Sequence, residues 1–165
     1  MAGCLRDRAA ELPRQCGRDI VVAAVSARDP KRDRGVDLGK AEWFDDAVKM
    51  AEKADIDVFV ELIGGDEGPA RASVKAALEA GRHVVTANKA LLAKHGVQLA
   101  EIAEKKGVLL NYEAAVAGGI PVIKTMREAM AGNSVTRVFG ILNGTCNYIL
   151  TRMEAEGITF DACLK

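Results

Sequence analysis

Four short, almost wholly apolar runs divide the first two thirds of the chain: DIVVAAVS (19–26), DVFVELIGG (57–65), HVVTA (83–87) and VLLNYE (108–113). They are rich in Val and apolar at successive positions, the pattern of strands covered on both faces. Stretches with helical spacing lie between them. Residues 3–16 carry Leu5, Ala9 and Leu12 on one side, with Gly17 as a stop. Residues 42–53 gather Trp43, Phe44, Val48 and Ala51, Pro69 opens a helix over 69–80, and Gly81 ends it. Asn88 caps a helix over 89–95, Gly96 interrupts it, and 97–106 resumes to Gly107. A polar loop with Pro30, Gly35 and Gly39 fills 27–39. This alternation predicts an α/β fold: an open parallel sheet with helices on both faces.

The texture changes after Glu113. AVAGGIP (115–121) reads as a small-residue linker, and 121–131 as a helix with Val122, Met126 and Met130 in register. VTRVFGIL (135–142) alternates like a strand. Asn143 and Gly144 then turn the chain, and Thr145 can cap a helix over 146–156. The expected division is a partial dinucleotide-binding domain at 1–115 and the start of a second, α+β domain at 116–165.

Apolar residues at 49% and charged residues at 28% give a globular balance. Lys plus Arg equals Asp plus Glu at 23 each, so the chain has no electrostatic footprint for nucleic acid or an anionic membrane. No run approaches the length of a bilayer span, and the first residues lack a secretory apolar core. Cys4, Cys16, Cys146 and Cys163 have no C-x-x-C spacing, and His83 and His95 are not close to them, which argues against zinc. Reduced thiols in a cytoplasmic protein are the expectation.

Ligands of open parallel sheets bind at the carboxyl ends of the strands. Ile63-Gly64-Gly65 leaves one such end, as a cofactor contact or as a tight turn. Arg28 follows another, where an arginine can hold the 2′-phosphate of NADP; Asp29 beside it suits NAD, and a solvated charged loop is the alternative. Thr86 through Lys89 leave a third end. Lys89 stands in the first turn of a helix, where a cation costs about 0.3–1 kcal/mol against the macrodipole. A ligand-facing role accounts for that placement: donation to a substrate oxygen or a cofactor phosphate. Glu113 enters a glycine-rich bend, where it can hold a cation with backbone carbonyls or cap nearby amides. Asn143-Gly144-Thr145 precedes a helix as an anion seat. No Ser–His–Asp or Cys–His arrangement stands out.

At these residues the chain resembles homoserine dehydrogenase, through DVFVELIGG (57–65), GRHVVTANKALLA (81–93), NYEAAVAGGIPVI (111–123) and GILNGTCNYILTRM (140–153). The resemblance implies a Rossmann-type sheet leading into a substrate and dimerisation domain. It implies hydride transfer between L-homoserine and L-aspartate 4-semialdehyde with NADP, or alternatively NAD, in threonine and methionine biosynthesis. Ile63, Gly64, Gly65, Thr86, Asn88 and Lys89 would border the cofactor, with Arg28 at its adenosine end. Lys89 would also polarise the substrate oxygen. Glu113, with the carbonyls of Val116, Gly118 and Ile120, resembles a sodium site, and Gly144 and Thr145 resemble substrate-lining residues. The strand at 135–142 would join a sheet through which the family forms homo-oligomers.

The departures matter too. Met1 falls inside the helix expected after the family's glycine-rich loop, and the chain stops at Lys165, ahead of the family's later substrate-binding residues. The Thr-Thr often found in the family is Thr145-Cys146 here. The expectation is an incomplete Rossmann-type sheet with little turnover on its own. A non-catalytic piece that self-associates or binds a full-length subunit is the second reading. A third is aspartate semialdehyde dehydrogenase, with Cys146 as nucleophile.

Overall fold

A computed structural model describes residues 1–140 and 144–164. The chain forms two compact units, Met1–Asn111 and Tyr112–Lys165.

The first unit opens with α1 (Ala2–Asp7) and α2 (Leu12–Cys16) in place of the single helix expected over 3–16. Pro13, at the start of α2, has no amide to continue the earlier ladder, so the chain turns and restarts. Next come β1 (Ala24–Ser26) and β2 (Glu42–Phe44), paired in parallel with Ala24 opposite Glu42 and Ser26 opposite Phe44. The helix expected over 42–53 therefore begins later. Trp43 and Phe44 take the extended backbone that aromatic residues favour. Asp46 Oδ1 then accepts from the amides of Val48 (2.7 Å) and Lys49 (3.2 Å), capping α3 (Ala47–Lys53).

Three further strands follow with their helices: β3 (Val58–Glu61), α4 (Pro69–Glu79), β4 (His83–Thr86), α5 (Lys89–Lys106) and β5 (Leu110–Asn111). α5 runs unbroken through Gly96. Its buried stripe of Leu91, His95, Leu99 and Ala103 outweighs the roughly 1 kcal/mol that a mid-helix glycine loses against alanine. β3, β4 and β5 pair in parallel in that order, with Glu61 opposite Thr86 and Val84 opposite Leu110. The strands are those of a Rossmann-type fold, but they stand as two separate sheets, β1-β2 and β3-β4-β5.

Coverage of the larger sheet is one-sided, where helices on both faces were expected. Phe59, Glu61, Val84, Thr86 and Leu110 are buried, together with Val74 and Leu78 of α4 and Leu91 of α5. Each large apolar side chain in that layer contributes about 1.5–3 kcal/mol. On the alternate positions Val58 and Val85 are 45% and 39% exposed. Right-handed crossovers between neighbouring parallel strands that advance in one direction place their helices on the same side.

The second unit begins with two 3₁₀ turns, Glu113–Ala115 and Ala117–Gly119. α6 (Val122–Lys124) passes into a π-helical turn at Thr125–Ala129, and α7 (Gly144–Glu156) and α8 (Phe160–Cys163) follow. The strand expected at 135–142 does not form over 135–140; its last two residues, and Asn143 of the anion seat, lie outside the described residues. An extended segment becomes a strand only when a neighbour pairs its backbone groups, and none does among the described residues. Phe139 is left 85% exposed. Among the described residues no helix is long and apolar enough to cross a membrane.

Candidate cofactor site

Because β3 and β4 run parallel and in register, their carboxyl ends open on the same edge of the sheet. One buried carboxylate organises that edge. Glu61, fully buried at the end of β3, accepts from the amides of Ile63 (2.6 Å) and Gly64 (2.9 Å) through Oε1. Its Oε2 accepts from the Thr86 hydroxyl at 2.5 Å. The Thr86 oxygen in turn accepts the Asn88 amide at 3.0 Å. Asn88 finishes the link in two directions. Its Nδ2 donates to the Gly65 carbonyl at 2.6 Å, and its Oδ1 accepts the Leu91 amide at 3.1 Å, capping α5.

Ile63, Gly64, Gly65, Thr86 and Asn88 are thus brought together by hydrogen bonds. With the Ile63 and Gly64 amides turned toward Glu61, the loop offers a ligand its Cβ-free backbone and the half-exposed Ile63 side chain. Gly64 and Gly65 have φ of +84° and +82°, in the region that L side chains rarely adopt. No atom lies within 4 Å of where a Cβ would stand on either, apart from their chain neighbours. A flat ring can approach this backbone closely, so these residues fit the nicotinamide end of a dinucleotide.

Glu61 is the residue that sequence reasoning missed. Its signal was an acidic residue closing an otherwise apolar strand, two positions ahead of the loop. A buried carboxylate needs donors, and the loop amides and Thr86 supply them.

Charged side chains brace the loop from outside. Glu67 meets Arg71 at 2.9 Å, Lys94 at 3.0 Å and His95 Nε2 at 2.9 Å. Arg71 first, then Lys94 and His95, hold the Glu67 carboxyl down at about 2. Lys94 also meets Asp66 at 3.0 Å, which lowers the Asp66 carboxyl and raises the Lys94 ammonium.

Lys89 occupies the first position of α5, exposed, and its side chain makes no hydrogen bond or ion pair among the described residues. Arg28 is exposed just beyond β1 of the smaller sheet, and among the described residues no hydrogen bond or ion pair links it to the Glu61 cluster. In the second unit the Glu113 carboxylate accepts from the amides of Ile123 and Lys124, each at 3.1 Å. The Ile120 carbonyl accepts the Val122 amide at 2.7 Å, and Gly118 has a φ of +58°. Gly144 and Thr145 are exposed at the start of α7.

Comparison with known proteins matches the chain to one family. The model of the homoserine dehydrogenase NAD binding domain matches residues 1–113, and that of homoserine dehydrogenase matches residues 121–165. The chain is 43% identical to a homoserine dehydrogenase of Neisseria gonorrhoeae over 99% of its own length and 37% of the relative's. It is 48% identical to that of Pseudomonas aeruginosa over 94% of its own length and 35% of the relative's. The crystal structure of a homoserine dehydrogenase from Thiobacillus denitrificans superposes with a TM-score of 0.78 at 42% identity, covering 98% of this chain and 37% of that one. A hyperthermophilic archaeal homoserine dehydrogenase in complex with NADPH gives 0.65 at 25% identity, covering 95% of this chain and 44% of that one. The chain therefore spans little more than a third of the curated relatives it matches. These matches set aside the aspartate semialdehyde dehydrogenase reading. A chain whose two units both answer to the same family's models belongs to the homoserine dehydrogenase family.

Proposed function

We propose that this chain carries the nicotinamide half of a homoserine dehydrogenase, interconverting L-homoserine and L-aspartate 4-semialdehyde with NADP in preference to NAD. The observation that carries the reading is the Glu61 network, which presents Ile63, Gly64 and Gly65 beside Thr86 and Asn88 at one strand edge. When bound, the nicotinamide exchanges a hydride with the substrate's carbonyl carbon. The residues named here bind and orient. Gly64 and Gly65 take the ring face, Asn88 fixes the loop against α5, and Lys89 donates a hydrogen bond to the substrate oxygen. Arg28 favours the 2′-phosphate of NADP.

Glu113 with the carbonyls of Val116, Gly118 and Ile120 is proposed as a sodium site, and Gly144 and Thr145 as substrate contacts. Each Glu113 oxygen accepts an amide hydrogen bond and has a lone pair left for a cation. The cytoplasm is the compartment proposed here. Turnover by the chain alone is proposed to be slight, since it spans little more than a third of its relatives.

The test is a fluorescence titration with NADPH and NADH, alongside homoserine-dependent NADP reduction. Saturable NADPH binding that Gly64→Val abolishes, with a rate far below that of the Pseudomonas aeruginosa relative, is the expected result. Absence of saturable binding by either nucleotide would overturn the cofactor reading. A rate equal to the relative's would overturn the claim of slight turnover. The exposed Phe139 and Val138 favour a second reading, self-association through the 134–139 segment. Sedimentation that shows only monomer at high concentration would dismiss it.

A further inference from the structure

α5 holds three consecutive residues of the loop that follows β3. Asn88 Nδ2 donates to the Gly65 carbonyl at 2.6 Å, Lys94 Nζ meets Asp66 at 3.0 Å, and His95 Nε2 meets Glu67 Oε1 at 2.9 Å. Asn88 and His95 stand about two helical turns apart on one face of α5, with buried Leu91 between them. The loop therefore lies along the start of the helix, with Gly65 at its cap and Glu67 farther along. Gly64, Gly65 and Gly68, all at positive φ, flank Asp66 and Glu67. Backbone that permissive leaves the two acidic side chains to fix where the segment sits.

The ties are unequal. Lys94 is 52% exposed, and water screens an ion pair of that kind. Arg71 also meets Glu67, at 2.9 Å, but as a residue of α4 it binds Glu67 to the helix that follows the loop and not to α5. Its bond is the largest cause of the lowered Glu67 carboxyl, yet it cannot set the loop against the cap of α5. The His95 side chain is only 9% exposed, within the buried stripe of α5. Glu67, at about 2, is a carboxylate at neutral pH and can only accept, so the ring nitrogen facing it carries the hydrogen and donates. A buried donor to a charged acceptor makes one of the stronger hydrogen bonds in a protein, and its loss would strand the ring nitrogen.

We propose that His95 is a positioning residue for the nicotinamide: through Glu67 it holds the loop in the pose that presents Gly64 and Gly65 to the ring. This role rests on the nicotinamide reading and adds to it a residue that acts through another. With the tied loop as the binding-competent one, each tenfold loss in its population weakens NADPH binding tenfold.

Two substitutions separate the ring's hydrogen bond from its volume. His95→Gln keeps an N–H donor near the place of Nε2, and His95→Leu keeps the burial and removes the donor. NADPH is titrated into the full chain and compared with adenosine 2′,5′-bisphosphate, which carries the adenosine end of NADP and no nicotinamide. His95→Leu should weaken NADPH by about tenfold, leave the bisphosphate within about twofold, and speed hydrogen exchange at the Gly64 amide by about tenfold. His95→Gln should recover most of each loss. A folded His95→Leu chain with unchanged NADPH affinity overturns the proposal. So does an equal loss for both nucleotides, which would make His95 a general stabiliser, and so does a His95→Gln chain as impaired as His95→Leu. Absence of saturable NADPH binding by the unsubstituted chain is a different result: it overturns the nicotinamide reading, and this role with it. Glu67→Ala cuts the same tie from its half-exposed side without opening the core. It should reproduce the split between the two nucleotides, so a His95→Leu chain that failed to fold would leave the test intact.

Discussion

Replacing Glu61 by alanine tests the network at its centre. The substitution removes the acceptor for three donors: the Thr86 hydroxyl and the amides of Ile63 and Gly64. Thr86 is buried, so its hydroxyl would be stranded, at about 1–3 kcal/mol. The loop amides lie near solvent and regain water, so each loses only about 0.5–1.5 kcal/mol. Relief from burying a carboxylate with no cation beside it offsets part of the total. A net loss of about 2–4 kcal/mol follows. With a urea slope of about 2 kcal/mol per molar, the unfolding midpoint should fall by about 1–2 M. Exchange at the Ile63 and Gly64 amides should accelerate by more than the global change explains. A midpoint shift below about 0.5 M, with loop exchange unchanged, would refute the assignment of Glu61 as the organiser of this edge.

Asn88→Ala removes both the cap of α5 and the tie to Gly65; thermal unfolding should register a loss of about 1–2 kcal/mol. Lys89→Ala should leave the fold intact and raise stability by about 0.3–1 kcal/mol, because it relieves a cation at a helix start, while NADPH titration shows weaker binding. Glu67 has a folded pKa near 2, below its ordinary 4.5, so its contribution is fully present above pH 4.5 and fades as pH falls toward 2. Acid unfolding of Glu67→Gln should lack that part of the pH dependence; an unchanged profile would show that the cluster does not brace the loop.

The sequence made the parallel strands and most of the helices legible because each apolar run is short, Val-rich and bounded by glycine or proline. Where it misled, a local signal competed with a tertiary one. Trp43 and Phe44 fit a helical stripe, and only the partner β1 makes them a strand. Gly96 reads as a stop, but the stripe from Leu91 to Ala103 carries the helix through it. VTRVFGIL alternates well, but alternation cannot supply a pairing neighbour. The candidate site was visible residue by residue at 63–65 and 86–89. What joins those residues was not, since Glu61 lies 25 positions from Thr86 and the contact depends on parallel register.

The central claim is that the edge at 63–65 and 86–89 faces the nicotinamide. Amide chemical-shift mapping of the labelled chain at saturating NADPH addresses it directly. Shifts concentrated at Ile63, Gly64, Gly65, Asn88 and Lys89, with the helix ends near Gly81 and Gly107 silent, are the predicted result. A nucleotide that binds while leaving both segments unmoved would contradict the account.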